Sequence, residues 1–151
     1  MVKSYRHLDV WQRANAAGLD VYRVTSLFPR GEQLAVVSQL RCAAYSIPAN
    51  IAEGFGRRPR KELLHFLAIA NGSLEELRYF LSLSCDLRYL SLAELEKLEM
   101  DLKAVAQIIS ALAKSLRLRL ADAATRAGSS DSSRNTGHVT RITETPSEGL
   151  H

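Results

Sequence analysis

Residues 37–58 combine a helical apolar pattern with an internal proline and two glycines near the end. Pro48 lacks a backbone donor and crowds the carbonyl of Ala44, so the pattern predicts a helix that bends near this proline. Gly54 and Gly56 can adopt the left-handed conformation that ends many helices. The segment therefore predicts an amphipathic helix that ends at a tight corner. The apolar residues, at alternating steps of three and four, are Val37, Leu40, Ala44, Ile47 and Ile51.

The same apolar spacing recurs in three further segments, so the sequence predicts four helices. Ser91 and Glu94 have the spacing of a capping box, which marks the start of the fourth helix. The sustained period and the short connections predict antiparallel neighbours with left-handed packing. We therefore expect an all-α, up-down-up-down four-helix bundle. The predicted helices run from about Leu8 to Leu27, from Glu32 to Glu53, from near Pro59 with Arg58 as its cap, and from Ser91 to about Leu120.

The apolar pattern stops after Leu120. Residues 128–137 are rich in Ser and Gly and offer almost no apolar side chain. Such a segment buries too little apolar surface to offset the entropy lost on ordering. We expect one bundle domain over residues 1–120 and a disordered C-terminal tail over residues 121–151.

Two further residues have predicted structural roles. Asn50 lies near the predicted bend, and we expect it to bond backbone groups that Pro48 frees, because such groups need partners inside a bundle. Gly72 falls in the middle of the third helix, where glycine costs about 1 kcal/mol relative to alanine. We expect a neighbouring helix to approach closely there.

The sequence lacks a residue set typical of an enzyme. Glu62 and His65 have the one-turn spacing of a di-iron ligand pair, but such a site needs a second pair and two more carboxylates. Cys42 and Cys85 have no metal-ligand spacing, and a helical hairpin separates them by about 20 Å. We expect both to be buried or half-buried free thiols. We therefore expect no catalytic residue, no cofactor and no metal.

Positive charge is concentrated in the first part of the chain. The net charge is +4, the pI is about 9.3, and residues 1–60 hold nine Lys or Arg against four Asp or Glu. In the predicted bundle, cations from three regions meet at one end. Such a cluster, with Phe55 as a stacking ring, suits phosphates and a base of nucleic acid; the alternative is a solvated loop. The cations are Lys3, Arg6, Arg57, Arg58, Arg60, Lys61, Lys114, Arg117 and Arg119.

Three stretches of the sequence resemble a known family. Ser46–Arg57 resembles the central motif of the four-helix-bundle proteins first found in intervening sequences of bacterial 23S rRNA genes. Tyr5–Gln12 and Ala70–Leu77 extend the resemblance over roughly residues 4–118. Relatives include an accessory protein that works beside the reverse transcriptase of diversity-generating retroelements. The resemblance implies a homopentamer with a positively charged surface and a reverse transcriptase as a partner. The motif's structural residues are Pro48, Asn50, Glu53, Gly54 and Gly56.

These observations predict a non-enzymatic, oligomeric protein that binds RNA or DNA or acts as an accessory scaffold. One alternative is a purely protein-binding scaffold. A third is a metal-binding enzyme built in the bundle core, which would require inward polar groups. Because the sequence shows neither a secretory signal nor an apolar segment long enough to span a bilayer, we expect a cytoplasmic protein without membrane contact.

Overall fold

The computed structural model describes residues 4–132, which form four α-helices and two short 3-10 helices and contain no strand. The predicted all-α class is thereby confirmed. The chain divides into two units, Met1–Leu120 and Ala121–His151; the bundle lies in the first. The elements are η1 (Tyr5–His7), α1 (Asp9–Thr25), η2 (Arg30–Glu32), α2 (Val36–Gly56), α3 (Arg60–Asp86) and α4 (Leu92–Ser132).

Contacts between α2 and α3 show that these helices are antiparallel. Near the end of α2, a β-carbon placed on Gly54 would lie 2.9 Å from the β-carbon of Phe66, which is in the second turn of α3. Earlier in α2, the Ser46 hydroxyl lies 2.8 Å from the Ser73 hydroxyl, further along α3. Later residues of α2 thus contact earlier residues of α3, so the two helices are antiparallel. This arrangement is expected for neighbours joined by only residues 57–59.

The fourth helix contacts both the first and the third. Lys97 donates to Asp20 of α1, with Nζ and Oδ2 3.1 Å apart. On the other side, the Nε of Arg78 in α3 donates to Glu99, at 2.8 Å from Oε2. The four helices thus close into the predicted bundle.

The interior of the bundle is almost entirely apolar. The buried polar residues among those described are Thr25 and Ser84. Each hydroxyl donates to a carbonyl one turn earlier, that of Val21 or of Phe80, at 2.7 Å. A buried hydroxyl that bonds its own helix needs no partner elsewhere. The largest fully buried side chains are Leu40, Ile47, Ile51, Leu67, Leu74, Leu77, Leu81, Leu98, Leu102, Val21, Val37 and Val105.

Helix α2 runs through Pro48, which is buried. The proline removes the donor that the Ala44 carbonyl would otherwise meet. This carbonyl lies beside Gly18 of α1, where an added β-carbon would be 3.6 Å from the oxygen. Asn50 was predicted to bond a backbone group that Pro48 frees, but it donates to the Ser46 carbonyl at 2.7 Å and not to that of Ala44. Its amide also donates to the Ser46 hydroxyl at 3.0 Å, which joins it to the α2–α3 contact.

The glycines differ from the sequence expectations. No described glycine has a positive φ, so α2 ends at Gly56 without a left-handed glycine. Gly72 was predicted to permit a close helix approach, but nothing lies within 4 Å of an added β-carbon there. The close approach is instead at Gly54. The cap of α3 is Pro59 and not Arg58.

Two other expectations were wrong in part. Helix α4 extends to Ser132, well past the predicted end at Leu120, and its residues 121–129 are exposed. The rest of the predicted tail, residues 133–151, lies outside the described residues. Both cysteines are free, as expected, and Cys85 is half-buried, but Cys42 is exposed. The Cys42 sulfur lies 3.3 Å from the Tyr45 hydroxyl on the surface of α2.

Candidate functional site

Seven of the nine predicted cations belong to one end of the bundle, here called the basic end. It comprises the connection 57–59, the first turn of α3 and residues 114–119 of α4. Leu64 of α3 and Arg117 of α4 line the same groove, which places the start of α3 beside this part of α4. Six cations of the basic end are exposed, and none forms an ion pair with another residue in the described range: Arg58, Arg60, Lys61, Lys114, Arg117 and Arg119.

Arg57 differs from these six because its side chain is already bound. Its Nε and Nη2 lie 2.9 and 2.5 Å from Oε1 of Glu53, one turn earlier on α2. Its guanidinium carbon lies 5.7 Å from the centre of the Phe66 ring. The hydrogen bond that Arg57 donates to Glu53 raises the pKa of Arg57. Arg57 is therefore a positioned cation and not a freely available one.

The two remaining predicted cations belong to the N-terminal segment. Arg6 lies in η1, and its guanidinium carbon is 5.8 Å from the centre of the Tyr5 ring. Lys3 lies outside the residues that the structure describes. Only Arg6 can therefore be placed, and it faces the end of α2 through Tyr5, which shares a pocket with Gly56 and Arg57.

The aromatic residue suited to stacking is not the one that the sequence indicated. Phe55 is half-buried and packs against the core. Tyr5 instead lines a surface pocket of about 360 Å³ beside the last two turns of α2. Its ring is held by Trp11, with ring centres 5.1 Å apart and an interplanar angle of 61°. The sequence did not indicate Tyr5 as a stacking residue, because no spacing rule links a short N-terminal turn to the end of α2.

Four cations away from the basic end form ion pairs, namely Arg13, Arg23, Arg78 and Lys97, whereas Arg30, Arg41, Arg88, Lys103 and Arg126 form none with another described residue. Asp20 of α1 accepts from both Arg23 and Lys97. Burial raises the pKa of the Asp20 carboxyl, but the hydrogen bonds from Lys97 and Arg23 lower it, and the net pKa lies below the ordinary value. Arg23 and Lys97 are thus bound locally by a carboxylate, in contrast to the six cations of the basic end.

A metal or catalytic site was a further alternative. Within residues 4–132, no group of three His, Cys, Asp or Glu side chains is arranged to hold a metal ion. His65 is exposed, and its ring contacts Phe66 rather than a carboxylate. No helix in the described range is long and apolar enough to cross a membrane.

A comparison with models of protein families shows to which family the chain belongs. The model of the 23S rRNA-intervening sequence protein family matches residues 6–111. The chain belongs to this family. The match covers residues 6 and 7 of η1, all of α1, α2 and α3, and the first half of α4. It therefore includes the central motif and the α2–α3 part of the basic end, but not residues 114–119.

A solved structure with the same fold supports this assignment. The intervening-sequence protein described here superimposes on a protein of unknown function from the S23 ribosomal protein family of Bacteroides thetaiotaomicron VPI-5482, with a TM-score of 0.65. The two are 20% identical, and the alignment covers 70% of this chain and 98% of that one. Identity at this level establishes the fold alone. No curated protein matches the chain.

Proposed function

We propose that this intervening-sequence protein is a non-enzymatic accessory protein that binds RNA or DNA through its basic end. The observation that carries the proposal is the set of six exposed cations without an ion pair among the described residues. They come from the α2–α3 connection, the first turn of α3 and the end of the bundle part of α4. Three separate elements thus present positive charge on one region of the surface.

Unpaired cations suit phosphates better than paired ones. A cation already bound to a carboxylate must lose that contact before it can bind a phosphate, whereas a solvated cation only replaces a counterion of the nucleic acid. Phosphate contacts position a protein without reading sequence. We therefore expect affinity for many sequences and a strong dependence on salt.

The proposal extends to self-association. By resemblance we propose a homopentamer, in which the basic end occurs once per subunit and several weak contacts add through effective concentration. A reverse transcriptase is the proposed protein partner, also by resemblance. In a complex with that enzyme, the RNA template of the reverse transcriptase would be the nucleic acid nearest to the basic end.

Replacing Arg58, Arg60 and Lys61 together by Gln tests the proposal. Each lost phosphate contact should reduce the slope of log affinity against log salt by roughly 0.7 for single strands and 0.9 for duplexes. The triple variant should therefore bind unrelated sequences more weakly and to the same degree, with a slope shallower by about 2 to 3. Binding is measured by fluorescence anisotropy with labelled RNA and DNA at several salt concentrations.

A matched control removes the same charge from paired positions. Replacing Arg13, Arg23 and Arg78 by Gln changes the net charge equally, but each of these cations is bound to a carboxylate. We expect this control to retain most of the salt slope. Equal behaviour of the two triple variants would mean that binding follows net charge alone, and equal affinity of wild type and the basic-end variant would contradict the proposal.

A second candidate is a purely protein-binding scaffold, and an exposed aromatic surface favours it. Tyr22 of α1 and Tyr45 of α2 are both exposed, and Leu19 lies one turn from Tyr22. The guanidinium carbon of Arg41 lies 4.6 Å from the centre of the Tyr22 ring. Tyrosine and arginine are enriched among residues that dominate protein interfaces. This function becomes the leading one if the basic-end variant has no effect on nucleic acid.

A further inference from the structure

We infer that the pocket between η1 and the last two turns of α2 accepts an unpaired nucleobase, so that the protein prefers single-stranded nucleic acid. This inference rests on the proposed function and names the form of its ligand. The pocket has a volume of about 360 Å³, which lies within the roughly 300–1,000 Å³ of typical small-molecule sites. It is lined by Tyr5, Ala49, Ala52, Glu53, Gly56 and Arg57.

The floor of the pocket consists of small residues of α2. Gly56 lines the pocket, and it has neither of the usual structural reasons for a glycine. Its φ is not positive, and nothing lies within 4 Å of an added β-carbon. A glycine in a helix otherwise costs about 0.5–1 kcal/mol relative to alanine. The space that its missing side chain leaves open belongs to the pocket, together with that beside Ala49 and Ala52.

One wall of the pocket is an aromatic ring with restricted motion. Tyr5 is half-buried and lies between the edge contact with Trp11 and the guanidinium of Arg6. A ring that is already ordered loses little side-chain entropy when a base stacks on it. Aromatic rings within a positively charged groove are the usual means by which proteins hold single strands without reading sequence.

Another part of the wall carries a fixed donor and a fixed acceptor, Arg57 and Glu53. Arg57 binds Glu53 through Oε1, and no partner of Oε2 is found among the described residues. The carboxylate can therefore accept an N–H from the edge of a base, while the remaining guanidinium N–H groups can donate to it. In a duplex these edges are occupied by the pairing partner, so only an unpaired base satisfies this wall.

The pocket is flanked by cations that suit the phosphates on either side of a bound base. Arg6 follows Tyr5 in the chain, and Arg58 follows Arg57 and makes no ion pair with another described residue. A base in the pocket therefore leaves its two neighbouring phosphates close to positive charge. The pocket and the basic end would then act together on one strand.

Filling the pocket tests the inference. Gly56→Leu places a side chain in the pocket, and its β-carbon has open space of at least 4 Å around it; Tyr5→Leu removes the stacking ring. Gly72→Leu is the matched control, since Gly72 has equally open surroundings on another helix. Anisotropy is measured with a single-stranded oligonucleotide, with a strand of the same length and charge that carries abasic sites, and with a duplex. Thermal denaturation verifies that each variant folds.

We expect Gly56→Leu and Tyr5→Leu to weaken binding of the base-containing single strand by about 5- to 150-fold, the contribution of one stacked base. Binding of the abasic strand and of the duplex should not change, and the control should resemble wild type. If wild type binds the abasic strand as tightly as the normal strand, or if Gly56→Leu binds the single strand like wild type, the pocket does not hold a base. That result would leave the proposal of phosphate binding by the basic end intact. If the wild type binds no nucleic acid at all, both the proposed function and the base pocket are contradicted.

Discussion

Gly54 is a residue whose side chain the bundle cannot accommodate. An added β-carbon would lie 2.9 Å from the β-carbon of Phe66 and 3.0 Å from Cδ1 of Leu63. The β-carbon of Phe66 is fixed to the backbone of α3, so relief requires movement of a helix and not a change of rotamer. Gly72 is also a glycine within a helix, but no atom lies within 4 Å of a β-carbon added there. The two glycines therefore provide a comparison in which only the packing differs.

We predict opposite effects of alanine at these two positions. Gly54→Ala should lower the free energy of unfolding by about 1–2 kcal/mol, because overpacking costs roughly 1–3 kcal/mol and the gain in helix propensity offsets up to about 1 kcal/mol. Gly72→Ala should raise it by about 0.5–1 kcal/mol. Denaturant unfolding followed by circular dichroism measures both. A stabilising Gly54→Ala would show that α2 and α3 can separate at no cost.

Some contacts of single residues could not be predicted from the sequence. The antiparallel topology, which the sequence predicted, determines which segments share an end, and it brings the start of α3 beside Arg117 of α4. The ion pair between Glu53 and Arg57 was missed because α2 was expected to end at Glu53, which left Arg57 in a loop. Since α2 reaches Gly56, the two residues lie one turn apart on one face. The pocket at Tyr5 depends on a tertiary contact that no local pattern contains.

At the scale of the elements, apolar spacing predicted the number and type of the helices but not all their ends. The start of α2 was placed four residues early, because residues 30–32 form a 3-10 turn before the α-helix begins at Val36. The end of α4 was placed early for a different reason. The apolar seam stops near Leu116, but good helix formers such as Ala and Arg continue beyond it. The spacing of apolar residues shows which face of a helix packs against the core, whereas helix propensity determines how far the helix extends.

The start of α4 was predicted correctly and offers a direct test. The Ser91 hydroxyl accepts from the Glu94 backbone N–H at 3.2 Å, and Glu94 accepts from the Ser91 N–H at 2.9 Å. Ser91→Ala should lower the free energy of unfolding by about 1 kcal/mol, the usual cost of a lost cap. Ser115→Ala, an exposed position inside α4, is the control and should change stability by less than about 0.5 kcal/mol. Equal unfolding midpoints for wild type and Ser91→Ala would mean that Glu94 alone suffices.

At the scale of the whole molecule, the proposed binding functions depend on the groups at the surface and not on the buried core. The basic end provides positive charge, and the surface of Leu19, Tyr22 and Tyr45 provides exposed apolar area on α1 and α2. The bundle architecture follows from the apolar seams, and the sequence predicted it. The aromatic surface could not be predicted, because a tyrosine on a helix has the same pattern whether its ring lies over the core or points into solvent.

We predict that the protein self-associates and that the aromatic surface takes part. Sedimentation velocity should show a species larger than a monomer at micromolar concentration, with a pentamer expected by resemblance. Tyr45→Lys should shift the distribution toward monomer, since a charge would be buried without a partner. Leu34→Lys, at a residue that is 97% exposed, is the control and should leave it unchanged. A monomeric wild type at all concentrations would remove self-association from the proposal.

The contact between Asp20 and Lys97 also bears on how the chain reaches this structure. The two residues are 77 positions apart in the sequence, whereas α2 and α3 are separated by only residues 57–59. The entropy lost on closing a loop increases with the logarithm of its length, so the central hairpin can form before the first and last helices meet. Local contacts of this kind favour rapid folding. Because the contact between α1 and α4 requires the largest loop closure of those described, we expect it to form last.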